Sequence, residues 1–138
     1  MLHAAKEPYH RVLAGNYIDE DLPKENSKYY WVETDGRLAL NLMDYGDPKL
    51  ISKKVIDKAL EVINRELDNN KKVLVHCTFG RSRSASIVLL YLLKYTDFFK
   101  SKDFLTIEKE FSEVYPMYKP SLGIRSFVIE NWHNYAKP

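Results

Sequence analysis

Cys77 and Arg83 are the residues of this chain whose types and spacing first suggest a chemical reaction. Cys77 is the one cysteine among 138 residues, and Arg83 follows it after five intervening residues. They lie between a short apolar run, Val73 to Val75, and a strongly apolar stretch that begins near Arg83, so the pattern predicts a strand, a loop and a helix. The N–H groups at a helix start lack intrahelical partners and lie at the positive end of the helix dipole, so such a loop can bind a phosphate-sized dianion. The same field favours a thiolate and is expected to lower the pKa of Cys77 from about 8.5.

These residues together are suited to the hydrolysis of a phosphomonoester. The Cys77 thiolate would attack phosphorus in line with the leaving oxygen and form a cysteinyl-phosphate, which water then hydrolyses. Arg83 can pair two non-bridging phosphate oxygens, and the Ser84 hydroxyl can donate a hydrogen bond that helps the sulfur to leave. We expect the ring of His76 to bond to nearby backbone and to support the loop without transferring protons. The predicted phosphate-binding loop comprises Thr78, Phe79, Gly80, Arg81, Ser82 and Arg83.

The segment at residues 76–84 resembles the signature of a known enzyme family. Cys-x5-Arg preceded by His and followed by Ser is similar to the signature of the cysteine-based protein tyrosine phosphatases, and Cys-x-x-Gly-x-Ser-Arg-Ser resembles their dual-specificity branch. At average residue frequencies the Gly, Ser, Arg and Ser would match by chance about once in 10⁵. The resemblance covers roughly residues 37–135. It implies a single catalytic domain over residues 1–138, with an α/β fold in which helices flank a central sheet.

The resemblance also implies a general acid, an aspartate on a separate loop upstream of the cysteine. Asp44 and Asp47 are the two candidates. Asp44 follows an apolar strand pattern directly, where family members tend to carry this residue. Asp47 precedes Pro48 and has a structural role available as a helix N-cap. We favour Asp44, and Asp47 stays open as the alternative.

The remaining pattern predicts the elements that must position these residues. Asp35-Gly36 between two runs of β-formers indicates a hairpin. Residues 1–28 show no clear period and are expected to form an irregular lead-in, shorter than in relatives. We favour an exposed position for the cluster at residues 6–11, and a place at the rim of the pocket stays open as the alternative. The predicted strands lie at 29–33, 37–42 and 73–75, and helices are expected to begin at Asp47-Pro48, about Arg83, Asp103 and Ser121.

Composition limits the classes of protein and of partner. With 45% hydrophobic and 29% charged residues the chain is expected to be globular. Its 21 basic and 19 acidic side chains leave a net charge of +2, so neither nucleic-acid nor membrane binding is expected. A single cysteine excludes a disulfide framework, and the histidines show no metal-binding pattern. We expect no metal, no cofactor and a cytoplasmic location, where the thiol stays reduced.

The sequence therefore predicts a metal-independent protein phosphatase. Its expected substrates are phosphoproteins carrying phosphotyrosine, with phosphoserine and phosphothreonine as further possibilities, and phosphate, sulfate or vanadate are expected to bind in the loop. Two alternatives stay open: the same fold acting on a phosphoinositide or an RNA 5′-phosphate, and a phosphate-binding module without catalysis.

Overall fold

A mixed β-sheet supports the loop that contains Cys77. The computed structural model describes residues 1–17, 22–100 and 103–137. Within these ranges there are four strands in the spatial order β2-β3-β1-β4, with β1 parallel to both neighbours and β2 antiparallel to β3. The predicted α/β architecture of a sheet flanked by helices is confirmed. The strands are β1 (Leu2–His3), β2 (Trp31–Thr34), β3 (Arg37–Leu40) and β4 (Val75–His76), and the helices are α1 (Arg11–Leu13), α2 (Lys53–Asp68), α3 (Arg83–Tyr95), α4 (Phe104–Val114) and α5 (Leu122–Tyr135).

The hairpin of β2 and β3 forms where the sequence predicts it. Thr34 pairs with Arg37 across the turn, and Gly36 has a φ of 75°, a conformation that glycine adopts without steric cost. Burial does not alternate along β3, because three successive residues, Leu38, Ala39 and Leu40, are all buried. This is the pattern of a strand with packed residues on both faces.

The expectation of an irregular, exposed lead-in is wrong for the first residues of the chain. Leu2 and His3 form β1, which pairs with β3 on one side and β4 on the other, and both side chains are buried. Lys6 and His10, in the helical turn Lys6–His10, are also buried. A two-residue strand in the middle of a sheet is too short to show a period, so only its long-range pairing reveals it. Residues 18–21 of this segment lie outside the described residues.

Asp47 and Pro48 begin a short 3₁₀ helix, Pro48–Leu50, and not the long helix that the sequence suggests. Ile51 and Ser52 are extended, and α2 starts after them, where the Ser52 hydroxyl accepts a hydrogen bond from Val55 N at 3.4 Å. Ile51 is buried in the core. Apolar residues keep a helical spacing across this break, so the sequence pattern alone predicts one continuous helix.

Helix α3 lies at the centre of the helical layers and begins at the end of the Cys77 loop. It packs against both α2 and α5. Ile87, Leu89 and Leu90 are almost fully buried, which agrees with the prediction of a central helix from its apolar composition. None of the helices in the described part of the chain has the length and apolar character needed to cross a membrane.

Candidate active site

The loop between β4 and α3 opens into a cleft that contains most of the residues predicted to do chemistry. Strand β4 ends at His76, Cys77 follows it, and Arg83 begins α3. Asp44 comes from the segment after β3, and the connection between α4 and α5 closes the remaining side. The cleft has a volume of about 270 Å³ and is lined by Asp44, Cys77, Phe79, Arg81, Ser82, Arg83, Lys119, Pro120 and Ser121.

The Cys77 sulfur is held among hydrogen-bond donors. Cys77 is 8% exposed, and its Sγ lies 3.2 Å from the Ser84 hydroxyl. Burial by itself would raise the pKa of the Cys77 thiol. Hydrogen bonds from the Ser84 hydroxyl and from the backbone N–H groups of Ser84, Gly80 and Phe79 outweigh that effect and lower the pKa. The loop therefore favours a thiolate, as the sequence predicts.

Arg83 is fixed at one side of the same loop. One terminal nitrogen donates to Leu42 O at 3.0 Å, and the other donates to Thr78 Oγ1 at 2.9 Å. The Nε atom is buried and has no hydrogen-bond partner among the described residues. Buried donors are normally satisfied, so this N–H is available to an oxyanion bound in the loop.

Asp44 lines the cleft with Cys77, whereas Asp47 does not. The Asp44 carboxylate accepts hydrogen bonds from Ser82 Oγ at 3.1 Å and from Ser121 Oγ at 2.6 Å. Asp47 accepts a hydrogen bond from Lys49 N at 2.9 Å and caps the 3₁₀ helix. Of the two candidate acids, Asp44 therefore faces the cleft, and the carboxylate of Asp47 is engaged in its capping contact.

The connection between α4 and α5, residues 115–121, donates three hydrogen bonds that brace the loop at residues 76–84, which we call the signature loop. Tyr115 donates from its hydroxyl to Gly80 O at 2.5 Å, Lys119 N donates to Arg81 O at 2.9 Å, and Ser121 N donates to Ser82 Oγ at 2.9 Å. Gly80 has a φ of 69°, and a Cβ added there would lie 3.3 Å from the Tyr115 hydroxyl oxygen. These bracing residues are not identifiable from the sequence. Pro116 and Pro120 indicate a break between helices, but no local signal connects that break to the site.

The bracing connection is itself anchored to both neighbouring helices. Glu108 of α4 accepts hydrogen bonds from Tyr118 at 3.0 Å and from two nitrogens of Arg125 of α5, each at 2.9 Å. Burial would raise the pKa of Glu108, but the hydrogen bonds from Arg125 and Tyr118 lower it overall. The ion pair joins the middle of α4 to the first turn of α5, the two helices that the connection links.

The mouth of the cleft combines an aromatic ring with positive charge. Phe79 is 74% exposed although it belongs to the signature loop. Arg81 and Lys119 are also exposed and line the same cleft. The mouth can therefore contact apolar and acidic groups that flank a bound phosphate.

His76 lies behind the nucleophile and touches backbone, as expected from the sequence. Its Nδ1 lies 3.4 Å from Cys77 O, and its Nε2 lies 2.5 Å from the Nδ1 of His3. The rings of His3 and Tyr9 stack with centroids 4.4 Å apart, and both present edges to His76. The sequence does not identify His3 or Tyr9 as residues of the site. The polar and aromatic cluster at residues 6–11, which contains Tyr9, is the one sequence feature that points to this region.

Comparison with known proteins agrees with this geometry. The family described as "Dual specificity phosphatase, catalytic domain" matches residues 17–119. This chain belongs to that family.

Similarity to individual proteins covers shorter segments. The chain is 33% identical over 61 residues to "Putative tyrosine phosphatase 123R" of Invertebrate iridescent virus 6, a segment that covers 44% of this chain and 43% of the viral protein. It is 29% identical over 82 residues to "Tyrosine-protein phosphatase yvh1" of Schizosaccharomyces pombe, covering 59% of this chain and 22% of that protein. It is 43% identical over 54 residues to "Protein phosphatase Slingshot" of Drosophila melanogaster, covering 39% of this chain and 5% of that protein. The matched segments thus span less than half the length of each of these curated relatives.

The fold is also found in a solved structure. The crystal structure of human DUSP28 aligns with 96% of this chain and 73% of its own, with a TM-score of 0.56 and 12% sequence identity. At this identity the likeness shows the fold. It confirms the predicted resemblance of the architecture to dual-specificity phosphatases.

Proposed function

We propose that this chain is a cysteine-dependent, metal-independent protein phosphatase that hydrolyses phosphotyrosine, with phosphoserine and phosphothreonine as further substrates. One observation carries the proposal: a hydrogen-bonded Cys77 sulfur, a fixed Arg83 guanidinium and the Asp44 carboxylate share one cleft. Membership of the dual specificity phosphatase family supports it. The printed names of three relatives, which include tyrosine phosphatase and protein phosphatase, support phosphoproteins as the substrate class.

In the first step the Cys77 thiolate attacks phosphorus and forms a P–S bond while the bond to the leaving oxygen breaks. Asp44 donates its proton to that oxygen. The backbone N–H groups of the loop and the guanidinium of Arg83 bind the equatorial oxygens and stabilise the charge of the transition state. The lowered pKa of Cys77 raises the fraction of the nucleophile that is ionised at a given pH.

In the second step the Asp44 carboxylate accepts a proton from water as the water oxygen attacks phosphorus. The P–S bond breaks, inorganic phosphate leaves, and Cys77 returns to a thiolate. The Ser84 hydroxyl, 3.2 Å from the sulfur, donates a hydrogen bond to the thiolate that departs. Asp44 is then protonated and Cys77 is a thiolate, as at the start, and the oxygen of the consumed water leaves in the inorganic phosphate.

The mouth of the cleft supports a peptide as the carrier of the phosphate. Phe79 offers an exposed ring for apolar contact, and Arg81 and Lys119 offer cations to acidic side chains. A cytoplasmic location suits this chemistry, because a reducing compartment keeps a lone low-pKa thiol from being oxidised.

Substitution of the nucleophile tests the proposal. Wild-type protein is expected to hydrolyse an aryl phosphate in the presence of a chelator, with vanadate as a competitive inhibitor. Cys77→Ser is expected to abolish turnover while still binding a phosphotyrosine peptide, because a serine hydroxyl is a weak nucleophile at neutral pH but leaves the oxyanion donors in place. Phosphate release and peptide binding by calorimetry measure the two properties. Turnover that persists in Cys77→Ser would contradict the mechanism, and faster release from phosphoinositides or RNA 5′-phosphates than from phosphopeptides would contradict the substrate class.

A further inference from the structure

A line of hydrogen bonds extends from the surface to the backbone of the nucleophile. Arg37 donates from Nε to His3 Nε2 at 3.0 Å, and His3 Nδ1 lies 2.5 Å from His76 Nε2. His76 Nδ1 in turn lies 3.4 Å from the carbonyl oxygen of Cys77. His3 is 2% exposed, so its two ring nitrogens depend on these protein partners.

We call the line of hydrogen bonds from Arg37 through His3 and His76 to Cys77 O the relay. The donor and the acceptor of each bond in it follow from the bond that Arg37 makes. A guanidinium can only donate, so His3 Nε2 must carry a lone pair. Neutral His3 then has its proton on Nδ1 and donates it to His76 Nε2. That bond leaves His76 with its own proton on Nδ1, the nitrogen that faces Cys77 O.

The surroundings of His3 favour its neutral form. Burial first, and then the charges of His76, Arg37 and the amino group of Met1, lower the pKa of His3 to about 4. The titratable and charged groups that face the two rings are Tyr9 from the turn Lys6–His10, Arg37 from β3 and Cys77 after β4. Of these, Arg37 is the cation bonded directly to a ring nitrogen.

We propose that Arg37 and His3 are positioning residues: they fix the tautomer of His76 and thereby the orientation of the peptide that joins Cys77 to Thr78. Because the peptide unit is planar and trans, holding the Cys77 carbonyl also sets the direction of the Thr78 N–H. That N–H belongs to the loop whose donors bind the oxyanion. The consequence for catalysis rests on the proposed phosphatase function, whereas the tautomer assignment does not.

The tautomer can be measured without any turnover. Long-range ¹H–¹⁵N spectra distinguish the protonated from the unprotonated nitrogen of each ring, and the chain has four histidines to assign. In the wild type, the rings of His3 and His76 are each expected to carry their proton on Nδ1. In Arg37→Met the bond to His3 Nε2 is lost, and His76 is expected to populate a second tautomer.

Two further variants separate positioning from a general effect on structure. Arg37→Lys keeps a donor and is expected to restore most of the wild-type spectrum. Arg65→Met is the matched control, since Arg65 bonds to Glu33 and Glu66 and to neither histidine ring, so its loss should leave both rings unchanged. Arg37 is exposed, so these variants should fold, which their thermal unfolding will verify.

The kinetic readout then tests the catalytic half of the proposal. Arg37→Met is expected to lower kcat/KM for an aryl phosphate about fivefold, the effect of losing one neutral hydrogen bond such as the one from His76 to Cys77 O. A wild-type His76 protonated on Nε2, or an Arg37→Met spectrum identical to wild type, would overturn the relay. An altered tautomer with unchanged kcat/KM would overturn its positioning role. Failure of the proposed function is a separate result, in which the wild type shows the expected tautomers and hydrolyses no phosphate.

Discussion

At the scale of single residues, the chemistry depends on how each polar group is partnered. The pKa of Cys77 is lowered because the hydrogen bonds that stabilise its thiolate outweigh the cost of burial. Asp44 and Asp47 are the same residue type three positions apart, yet one lines the cleft and the other caps a short helix. Their hydrogen-bond partners distinguish them: Asp44 accepts from Ser82 and Ser121, far away in sequence, whereas Asp47 accepts from Lys49, two residues later.

Substitution of Asp44 should affect substrates according to their leaving groups. Asp44→Asn cannot donate a proton to the leaving oxygen, so we expect hydrolysis of a phosphoserine peptide to slow by about 10²-fold or more. An activated aryl phosphate should slow much less, because its leaving oxygen needs little protonation. Steady-state kinetics on both substrates give the comparison.

Asp47→Asn is the matched control for this experiment. Asparagine is nearly as good an N-cap as aspartate, so the 3₁₀ helix should persist and both substrates should react at wild-type rates. If Asp47→Asn shows the leaving-group dependence and Asp44→Asn does not, the assignment of the acid is wrong.

At the scale of elements, the connection between α4 and α5 supports the site from outside the loop that contains Cys77. It donates hydrogen bonds to the signature loop and supplies Ser121 to Asp44. It depends on the Glu108–Arg125 ion pair, whose carboxylate is largely buried. The start of α3 at Arg83 follows from the sequence, whereas the start of α2 at Lys53 does not. The contacts between distant loops do not follow from it either, because no local pattern records them.

Loss of the Glu108 carboxylate should therefore destabilise the fold in a pH-dependent manner. The folded-state pKa of Glu108 is lowered, so its contribution is fully present above the unfolded value of about 4.3 and is lost as pH falls through the folded value. At neutral pH, Glu108→Gln is expected to lower the free energy of unfolding by about 1–2 kcal/mol. Urea denaturation at several pH values should show the two proteins converging in acid.

An exposed carboxylate on the same helix provides the comparison for that measurement. Glu113 lies on α4 and is exposed, so Glu113→Gln should change stability by no more than about 0.5 kcal/mol. Equal effects from Glu108→Gln and Glu113→Gln would contradict the role of the ion pair as an anchor.

At the scale of the whole molecule, the first residues of the chain are part of the core. Leu2 is fully buried and pairs with Leu38 on one side and Val75 on the other. Strand β1 therefore joins the strand that leads to Asp44 with the strand that leads to Cys77. Lys6 N also donates to Leu42 O, the same carbonyl that accepts from Arg83. The two halves of the site are held together through this segment.

Truncation of Leu2 tests that role. Leu2→Ala leaves a cavity between two strands and is expected to cost about 3 kcal/mol of unfolding free energy. Leu74→Ala is the matched control, because Leu74 is 57% exposed and should cost less than about 1 kcal/mol. The midpoints of urea denaturation curves with an unchanged slope give both changes in the free energy of unfolding. If the start of the chain were frayed, Leu2→Ala and Leu74→Ala would instead change that free energy by equal amounts.

The sequence by itself determined the signature loop, the hairpin and the central helix α3. Each depends on residue types within a few positions of one another, such as the spacing from Cys77 to Arg83. The tertiary structure alone decided which aspartate faces the cleft, how residues 115–121 brace the loop, and that Leu2 and His3 form a central strand. The reason is physical: these features depend on hydrogen bonds and burial between segments separated by tens of residues, which only the folded chain brings together.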